Sequence, residues 1–354
     1  MIERQHLRFC TSSDGVALAY ATVGQGPPLV KTANWLTHLE YDWQSPIWRP
    51  WIEALARNRT YVRYDTRGCG LSDREPAEVS LEGWVRDLEA VVDATGLERF
   101  PLLGISQGGP IAIAYAVRHP DRVSHLVLYG SFLRGRLKRG GGPEAIDRAL
   151  LYYKLTELGW GKDDPSFRAV FANDFLPGGS RELMQAFDEL QRISSSGAFA
   201  VRFMQASDQI DVTDLAREVS VPTLVMHSRR DRRVPFEEGR LVAAHIPGAR
   251  FVPLESDNHV LLGDESAWPR FFAELDAFLP RIAAGRFAEL TARERALVEL
   301  MARGLDNHQI AAHLEVTEKT VRNMVSTVFD KLDVESRAQA IVCAREAGFG
   351  VAPG

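Results

Sequence analysis

A serine, an aspartate and a histidine, each just after an apolar run, could together perform nucleophilic catalysis. Ser106 lies at the centre of residues 104–108 (GISQG), a G-x-S-x-G pattern between an apolar run and a stretch of small residues. A nucleophilic serine on a strained strand-to-helix turn needs such glycines, because they leave room for the neighbouring backbone. The alternative is a glycine-rich turn with an idle serine.

Asp231 and His259 follow Ser106 in the order, acid and then histidine, that such a nucleophile requires. Alone, Asp231 would be a turn aspartate among arginines, and His259 an ordinary loop histidine. Both follow strand-like runs, 222–227 and 250–254, and open parallel sheets place their sites at the carboxyl ends of strands. We therefore expect His259 to act as general base toward Ser106, and Asp231 to hold the His259 tautomer.

A second group of functional side chains lies near the C-terminus. After Thr317, apolar residues recur at helical spacing, and the opposite stripe carries Lys319, Arg322, Asn323 and Ser326. Such side chains reach base edges and phosphates. Because a short helix and a tight turn precede this segment, the pattern predicts a helix-turn-helix.

Charge does not decide whether that stripe binds DNA. The whole chain has 354 residues and a net charge of −5. From residue 286 onward, nine Lys and Arg residues stand against ten Asp and Glu residues. Any DNA-binding surface must therefore be local, and a solvated face on a small helical bundle is the alternative.

Composition otherwise indicates an ordinary globular protein, with 45% hydrophobic and 25% charged residues. The three cysteines, Cys10, Cys69 and Cys343, are far apart and lack metal-ligand spacing. The first residues form no signal peptide, and no apolar run is long enough to cross a bilayer. We expect a cytoplasmic protein without membrane contact, metal or cofactor.

Six strand-like runs must position the catalytic residues: 28–32, 60–64, 100–103, 125–129, 222–227 and 250–254. Helical patterns, such as 81–94 and 107–119, alternate with them, which predicts a mostly parallel, doubly wound sheet. Residues 7–23 predict an antiparallel pair with a turn at 13–15.

The alternation stops over about 135–216, where helical patterns (145–158 and 181–194) predict a cap inserted into the sheet domain. The closing helix is expected at 271–282. The predicted domains are thus 1–282, a linker at 283–288, and a small all-α domain at 289–354. The cap carries phenylalanines that predict an apolar pocket: Phe167, Phe171, Phe175, Phe199 and Phe203.

Residues 7–282 resemble the α/β-hydrolase superfamily, in its capped branch. The resemblance is carried by 104–108 together with 64–73 (YDTRGCGLSD), 119–123 (HPDRV) and 221–224 (VPTL). It implies an α/β hydrolase fold and an oxyanion hole formed by the backbone N–H groups of Trp35 and Gln107.

One position departs from that family. Ala33 and Asn34 stand where its members carry His-Gly. Asn tolerates positive φ, so we expect the turn to persist. Losing one oxyanion donor would cost about 10²–10³ in turnover, so ligand binding is better supported than efficient hydrolysis.

Residues 290–341 resemble the LuxR-type helix-turn-helix family, through phrases such as 290–294 (LTARE), 319–321 (KTV) and 331–337 (KLDVESR). The resemblance implies a double-stranded DNA partner and a homodimer formed through the fourth helix, 336–347. Matching positions imply that Arg322, Asn323 and Ser326 face bases. The residues expected at phosphates are Thr317, Lys319, Thr320 and Lys331.

Together these features predict a LuxR-type transcriptional regulator. Its hydrolase-like domain would sense, and could hydrolyse, a small, apolar ester- or lactone-like ligand. The first alternative is a serine esterase or lactonase with an accessory DNA-binding domain. The second is a C-terminal domain that dimerises without touching DNA.

Overall fold

The computed structural model describes residues 4–162, 165–279, 287, 290–332, 334–347 and 349–350. The chain divides into two compact units, and the first holds almost all of the first 279 residues. Within the described ranges, no helix has the length and apolarity needed to cross a membrane.

The first unit is built on an eight-stranded sheet, in the order β1-β2-β4-β3-β5-β6-β7-β8. The strands are β1 (His6–Thr11), β2 (Ala17–Val23), β3 (Pro28–Lys31), β4 (Thr60–Tyr64), β5 (Phe100–Ile105), β6 (Val123–Tyr129), β7 (Thr223–Ser228) and β8 (Arg250–Leu254). β1 and β2 pair antiparallel, and β5 to β8 pair in parallel with their neighbours. The predicted mostly parallel sheet is confirmed, and all six predicted strands are present.

Eleven helices of the described residues accompany this sheet. They are α1 (Leu39–Asp42), α2 (Trp48–Leu55), α3 (Leu81–Thr95), α4 (Gly108–Arg118), α5 (Gly142–Gly159), α6 (Pro165–Phe175), α7 (Arg181–Ser194), α8 (Gly197–Asp208), α9 (Thr213–Glu218), α10 (Phe236–His245) and α11 (Ala267–Phe278). Every residue of β5 is buried, as expected of a parallel strand covered on both faces. A parallel sheet covered in this way presents its site at the carboxyl ends of its strands.

The segment between β6 and β7 contains no strand among its described residues; it holds a 3₁₀ turn (Arg136–Lys138) and helices α5 to α9. This is where the cap is predicted. The closing helix differs from the expected 271–282, since α11 starts at Ala267 and ends at Phe278. Residues 280–282 of that expectation lie outside the described residues.

The loop after β4 is a structural scaffold. Asp65 accepts the backbone N–H groups of Leu39 and Leu71 at 3.1 and 2.9 Å. The Arg67 guanidinium pairs with Asp87 at 2.7 Å and is fully buried. A side-chain Cβ at Gly70 would lie 2.1 Å from the Asp65 carboxylate, so only glycine fits there. The segment 64–73 (YDTRGCGLSD) therefore stabilises the fold.

The second unit is a four-helix domain over the described residues. Its helices are α12 (Ala292–Ala302), α13 (Asn307–Leu314), α14 (Glu318–Leu332) and α15 (Arg337–Glu346). Capping boxes start α12 and α13. Glu315 turns the chain into α14 with φ +53°, a left-handed conformation that few non-glycine residues adopt.

The core of the second unit begins before the predicted start at residue 289. Phe287, which the sequence analysis placed in the linker, is buried, and its ring lies 5.0 Å from that of Phe349. The prediction was wrong at this residue, because Phe287 has an aromatic partner that is distant in sequence. The rest of the predicted linker lies outside the described residues.

Candidate active site and DNA-binding helix

The strained turn predicted around Ser106 is present between β5 and α4. Ser106 has φ +54°, one of three non-glycine residues with positive φ in the described ranges. A Cβ at Gly104 would lie 2.8 Å from the Cα of Gly109, and one at Gly108 would lie 2.4 Å from the Oγ1 of Thr32. The two glycines of the motif thus allow strand and helix to meet closely, and the Ser106 side chain is held at the top of the sheet.

Ser106, His259 and Asp231 form a continuous hydrogen-bonded triad. The Nε2 of His259 lies 2.8 Å from the Oγ of Ser106, and its Nδ1 lies 2.6 Å from the Oδ2 of Asp231. All three residues are buried. These distances suit proton transfer from the serine to the histidine.

The Asp231 carboxylate is held in place by backbone donors. Its Oδ1 accepts the N–H groups of Arg233 and Val234 at 2.8 and 2.9 Å. Its Oδ2 is thereby left to His259. A second histidine, His227, has its Nε2 3.6 Å from the Oδ2 of Asp231 and 2.9 Å from the Val234 carbonyl. Burial lowers the pKa of His227, so its neutral form is favoured.

The turn at residues 33–35 persists for a reason other than the expected one. We expected a positive φ at Asn34, and this was wrong, because Asn34 is not among the non-glycine residues with positive φ in the described ranges. Instead, its side chain accepts a hydrogen bond from Lys31 and donates one to the Trp35 carbonyl at 2.8 Å. Asparagine therefore stabilises this turn through its amide.

The two expected oxyanion donors lie beside the nucleophile. Trp35 and Gln107 both line a cavity that Ser106 also lines. Among the hydrogen bonds of the described residues, none is donated by the backbone N–H of Trp35 or Gln107. Both N–H groups are therefore free to donate to a ligand, which is a condition for the predicted oxyanion hole.

The cavity beside Ser106 has a volume of about 40 Å³, room for about three water molecules. Its apolar lining residues include Trp35, Phe132, Phe175, Phe203 and Met204. Its charged lining residues are Arg136, Arg139, Asp208 and Arg233. The lining is therefore mixed, where the sequence predicts an apolar pocket.

Only two of the five predicted phenylalanines, Phe175 and Phe203, reach this cavity. The arginines that line it were not predicted from the sequence. The RRDRR run around Asp231 was a signal, but an arginine in a loop ordinarily faces solvent.

The cap contacts the triad histidine, His259, directly. The backbone carbonyl of Phe175, at the end of α6, accepts the N–H of His259 at 2.9 Å. The two rings meet edge to face at 5.3 Å. The preceding loop residue, Asn258, accepts the N–H of Gly178 at 2.9 Å through its side-chain oxygen. Movement of this part of the cap would therefore alter the position of His259.

The predicted DNA-binding residues occupy one side of α14 and its first turn. Val321, Val328 and Leu332 are buried in the core of the second unit. Nearly all of the predicted contact residues are solvent-exposed: Thr317, Lys319, Thr320, Arg322, Asn323 and Ser326. Thr317 also caps the helix, accepting the N–H of Thr320 at 3.2 Å.

Lys331 is the exception among these residues. Its ammonium forms an ion pair with Glu294 of α12 at 2.7 Å, and its side chain is 29% exposed. The pair lowers the pKa of Glu294. Lys331 therefore joins α12 to α14 in the absence of DNA.

A mostly parallel sheet with a buried, hydrogen-bonded Ser-His-Asp triad at the ends of its strands defines the class of α/β-hydrolase-fold proteins. Residues 43–266 match the family described as alpha/beta hydrolase fold, and the chain belongs to it. Residues 288–344 match the family described as bacterial regulatory proteins, luxR family. The chain thus joins a hydrolase-fold domain to a DNA-binding domain of transcription regulators.

Several characterised proteins are similar to the first domain. A 2-hydroxymuconate semialdehyde hydrolase of Pseudomonas sp. strain CF600 is 38% identical over 250 residues, covering 64% of this chain and 75% of the relative. A 2-hydroxy-6-oxo-2,4-heptadienoate hydrolase of Pseudomonas putida is 30% identical and covers 60% and 72%. An esterase structure from Exiguobacterium antarcticum has a TM-score of 0.65 and 26% identity, over 76% of this chain and 98% of the esterase.

Proposed function

We propose that the protein is a ligand-responsive transcription regulator whose hydrolase-fold domain binds a small ester- or lactone-like compound at Ser106. One observation carries the proposal. A fully hydrogen-bonded nucleophile–base–acid triad lies beside a cavity, on the same chain as an exposed helix of LuxR type. The ligand would change the affinity of the second domain for DNA.

The geometry supports acyl transfer as the chemistry at this site. The Oγ of Ser106 attacks the ligand carbonyl carbon while its proton passes to the Nε2 of His259. Asp231 stabilises the imidazolium that forms, and the N–H groups of Trp35 and Gln107 bind the oxyanion. When the intermediate collapses, the alkoxide leaves with the proton from Nε2. Water, deprotonated by His259, then releases the acid and restores Ser106.

The contacts of the cap support a sensing role. The cavity of about 40 Å³ is narrow and is lined by Phe175 and Phe203 of the cap, so a ligand larger than this space would displace these side chains. Phe175 lines the cavity and also bonds to the backbone of His259. Ligand entry would therefore shift both the cap and the triad. A ligand that makes different contacts in two conformations of the domain changes their relative populations.

The nucleophile can be tested by treating the full chain with a fluorophosphonate and measuring its intact mass. We expect one stoichiometric adduct, lost in Ser106→Ala and kept in Ser13→Ala, where the serine lies in an exposed turn. Titrating DNA binding with esters and lactones then tests sensing. If no such ligand changes DNA affinity or reporter transcription, the regulatory proposal is wrong.

An esterase or lactonase with an accessory DNA-binding domain is the second candidate, because the triad is already aligned without ligand. Ser106→Ala separates the two. An enzyme whose DNA domain only localises it loses turnover with no change in reporter expression, whereas a hydrolytic sensor loses both.

DNA recognition by α14 can be tested on the duplex that the wild type selects from a random-sequence pool. Arg322→Ala and Asn323→Ala should each lower affinity about 5- to 150-fold, since a good bidentate base contact contributes about 1–3 kcal/mol. Arg303→Ala removes a charge from α12, in a pair with Glu299, and should leave affinity unchanged. If all three variants bind equally, α14 does not read DNA.

We also propose that α15 forms the contact of a homodimer. Val342, on this helix, is 54% exposed, an unusual position for a branched apolar side chain. Val342→Asp should shift the sedimentation coefficient toward that of a monomer. The control is Ile146→Asp, at a side chain 52% exposed on α5. A wild type that sediments as a monomer at all concentrations would contradict the proposal.

A further inference from the structure

The guanidinium of Arg233 faces the cavity that contains the nucleophile. Arg233 lies two residues after Asp231 in the chain and donates its backbone N–H to the Oδ1 of that carboxylate. Its side chain lies over the ring of Phe175, 5.0 Å from the ring centre. Arg233 and Ser106 both line the same cavity.

The other two arginines of the cavity already have acceptors. Arg136 forms two hydrogen bonds to the Asp208 carboxylate, at 2.9 and 2.8 Å. Arg139 donates to the Arg134 carbonyl at 2.7 Å and lies 3.8 Å from Glu238. Across the described residues, the guanidinium of Arg233 has neither an ion pair nor a hydrogen bond. One guanidinium at the cavity therefore has no bonded acceptor within the described residues, and the carboxylates of Asp174 and Asp208 act on it only at longer range.

An arginine in this setting indicates a missing acceptor. Arg233 is half-buried, and partial removal of a guanidinium from water is costly unless an anion replaces the lost hydration. Burial lowers the pKa of Arg233 and the nearby Arg136 cation lowers it further, while the carboxylates of Asp174 and Asp208 raise it. A bound anion would offset both effects, and a planar carboxylate suits the fork of a guanidinium with two parallel hydrogen bonds.

We propose that the ligand carries a carboxylate in addition to its reactive carbonyl, and that Arg233 binds this carboxylate while the carbonyl lies at Ser106. The ligand class is thus a short anionic ester or a carboxylated lactone. Apolar residues of the cavity, such as Phe203 and Met204, would contact the carbons between the two groups. This inference rests on the ligand site proposed above.

The test uses two p-nitrophenyl esters of similar length, the anionic hemiglutarate and the neutral valerate. Their binding to full-length Ser106→Ala is measured by titration calorimetry, so that turnover plays no part. The anionic ester should bind about 10- to 100-fold more tightly, as expected for a charge-assisted hydrogen-bonded pair. Adding Arg233→Gln should abolish this preference, and Arg233→Lys should restore part of it.

Arg232→Gln is the matched control, because Arg232 is the exposed neighbour of the same loop. It should retain the preference for the anionic ester. Circular dichroism and melting temperature establish that each variant is folded. If the neutral ester binds as tightly as the anionic one, or neither binds, the inference is wrong. The same follows if Arg232→Gln loses the preference as fully as Arg233→Gln.

Labelling of the wild type by fluorophosphonate is measured in parallel. A labelled Ser106 with no preference for the anionic ester would overturn the carboxylate alone. An unlabelled Ser106 with that preference intact would overturn acyl transfer and leave the anion site standing.

Discussion

Replacing Asp231 by asparagine tests the triad most directly, because the side chain keeps its shape while one carboxylate oxygen becomes an NH₂ group and the negative charge is lost. The side-chain oxygen of asparagine can still accept the backbone N–H groups of Arg233 and Val234. Its amide NH₂ then faces the Nδ1 of His259, at the place where the carboxylate accepted a hydrogen bond. The imidazole must therefore carry its proton on Nε2, toward Ser106.

The expected loss follows from that tautomer. A histidine protonated on Nε2 cannot accept the serine proton, and such a loss costs about 10⁴-fold in turnover for serine enzymes, or about 5.5 kcal/mol of barrier. Stability should change by less than about 1 kcal/mol, since the buried donors keep their acceptor.

Asp231→Ala provides the contrast. It leaves the two backbone N–H groups and the Nδ1–H of His259 without an acceptor. Each buried unsatisfied donor costs about 1–3 kcal/mol, so we expect a destabilisation of about 3 kcal/mol or more.

The assay is the rate of fluorophosphonate labelling at Ser106, read by intact mass, with thermal unfolding of each variant. Asp257→Asn is the control, because Asp257 is half-exposed and pairs with Arg230 away from the triad. If Asp231→Asn labels within about tenfold of the wild type, the aligned triad is not what activates Ser106, and the mechanism proposed here is wrong.

Three further outcomes are expected. Gly130→Ala places a Cβ 3.2 Å from the ring of the triad histidine at φ +56°, whereas Gly96→Ala at φ +68° meets nothing within 4 Å. Both should lower the melting temperature, but only Gly130→Ala should slow labelling, and equal labelling rates would contradict the geometry. Burial lowers the pKa of His227 below its ordinary 6.5, so as the pH falls this histidine is protonated in the unfolded chain before it is protonated in the folded chain. The free energy of unfolding should therefore decrease as the pH drops below about 6.5. His227→Gln should flatten this dependence in thermal melts, and an unchanged profile would refute the assignment. If Lys331 leaves Glu294 to contact a phosphate when DNA binds, Lys331→Ala should reduce the slope of log affinity against log salt concentration by about 0.9. A loss of stability with an unchanged slope would show that Lys331 serves only the ion pair with Glu294.

Much of the chain could be predicted because its determinants are local. Period-two and apolar runs specified the strands, and α7 has the predicted bounds, 181–194. The capping box of Thr291 with Glu294 forms as expected, because its two residues are three positions apart. The turn of Ser106 could be predicted for the same reason.

The failures concern contacts between distant segments. Phe287 was assigned to the linker because its partner, Phe349, is far along the chain. The helix beginning at Ala267 starts earlier than its apolar pattern indicated, and boundaries of this kind depend on packing. The positive φ expected at Asn34 is replaced by side-chain hydrogen bonds.

The identities and order of the triad residues and the polar stripe of α14 could be predicted from the sequence, since each depends on residue type and on short spacings. The packing of the folded chain was needed to bring His259 to Ser106 across 153 positions and to Asp231 across 28. It also decided that Arg136 would be neutralised by Asp208 while Arg233 would be left facing the cavity. Pairing of charges depends on distances set by the packing of cap against sheet, and no local pattern encodes those distances.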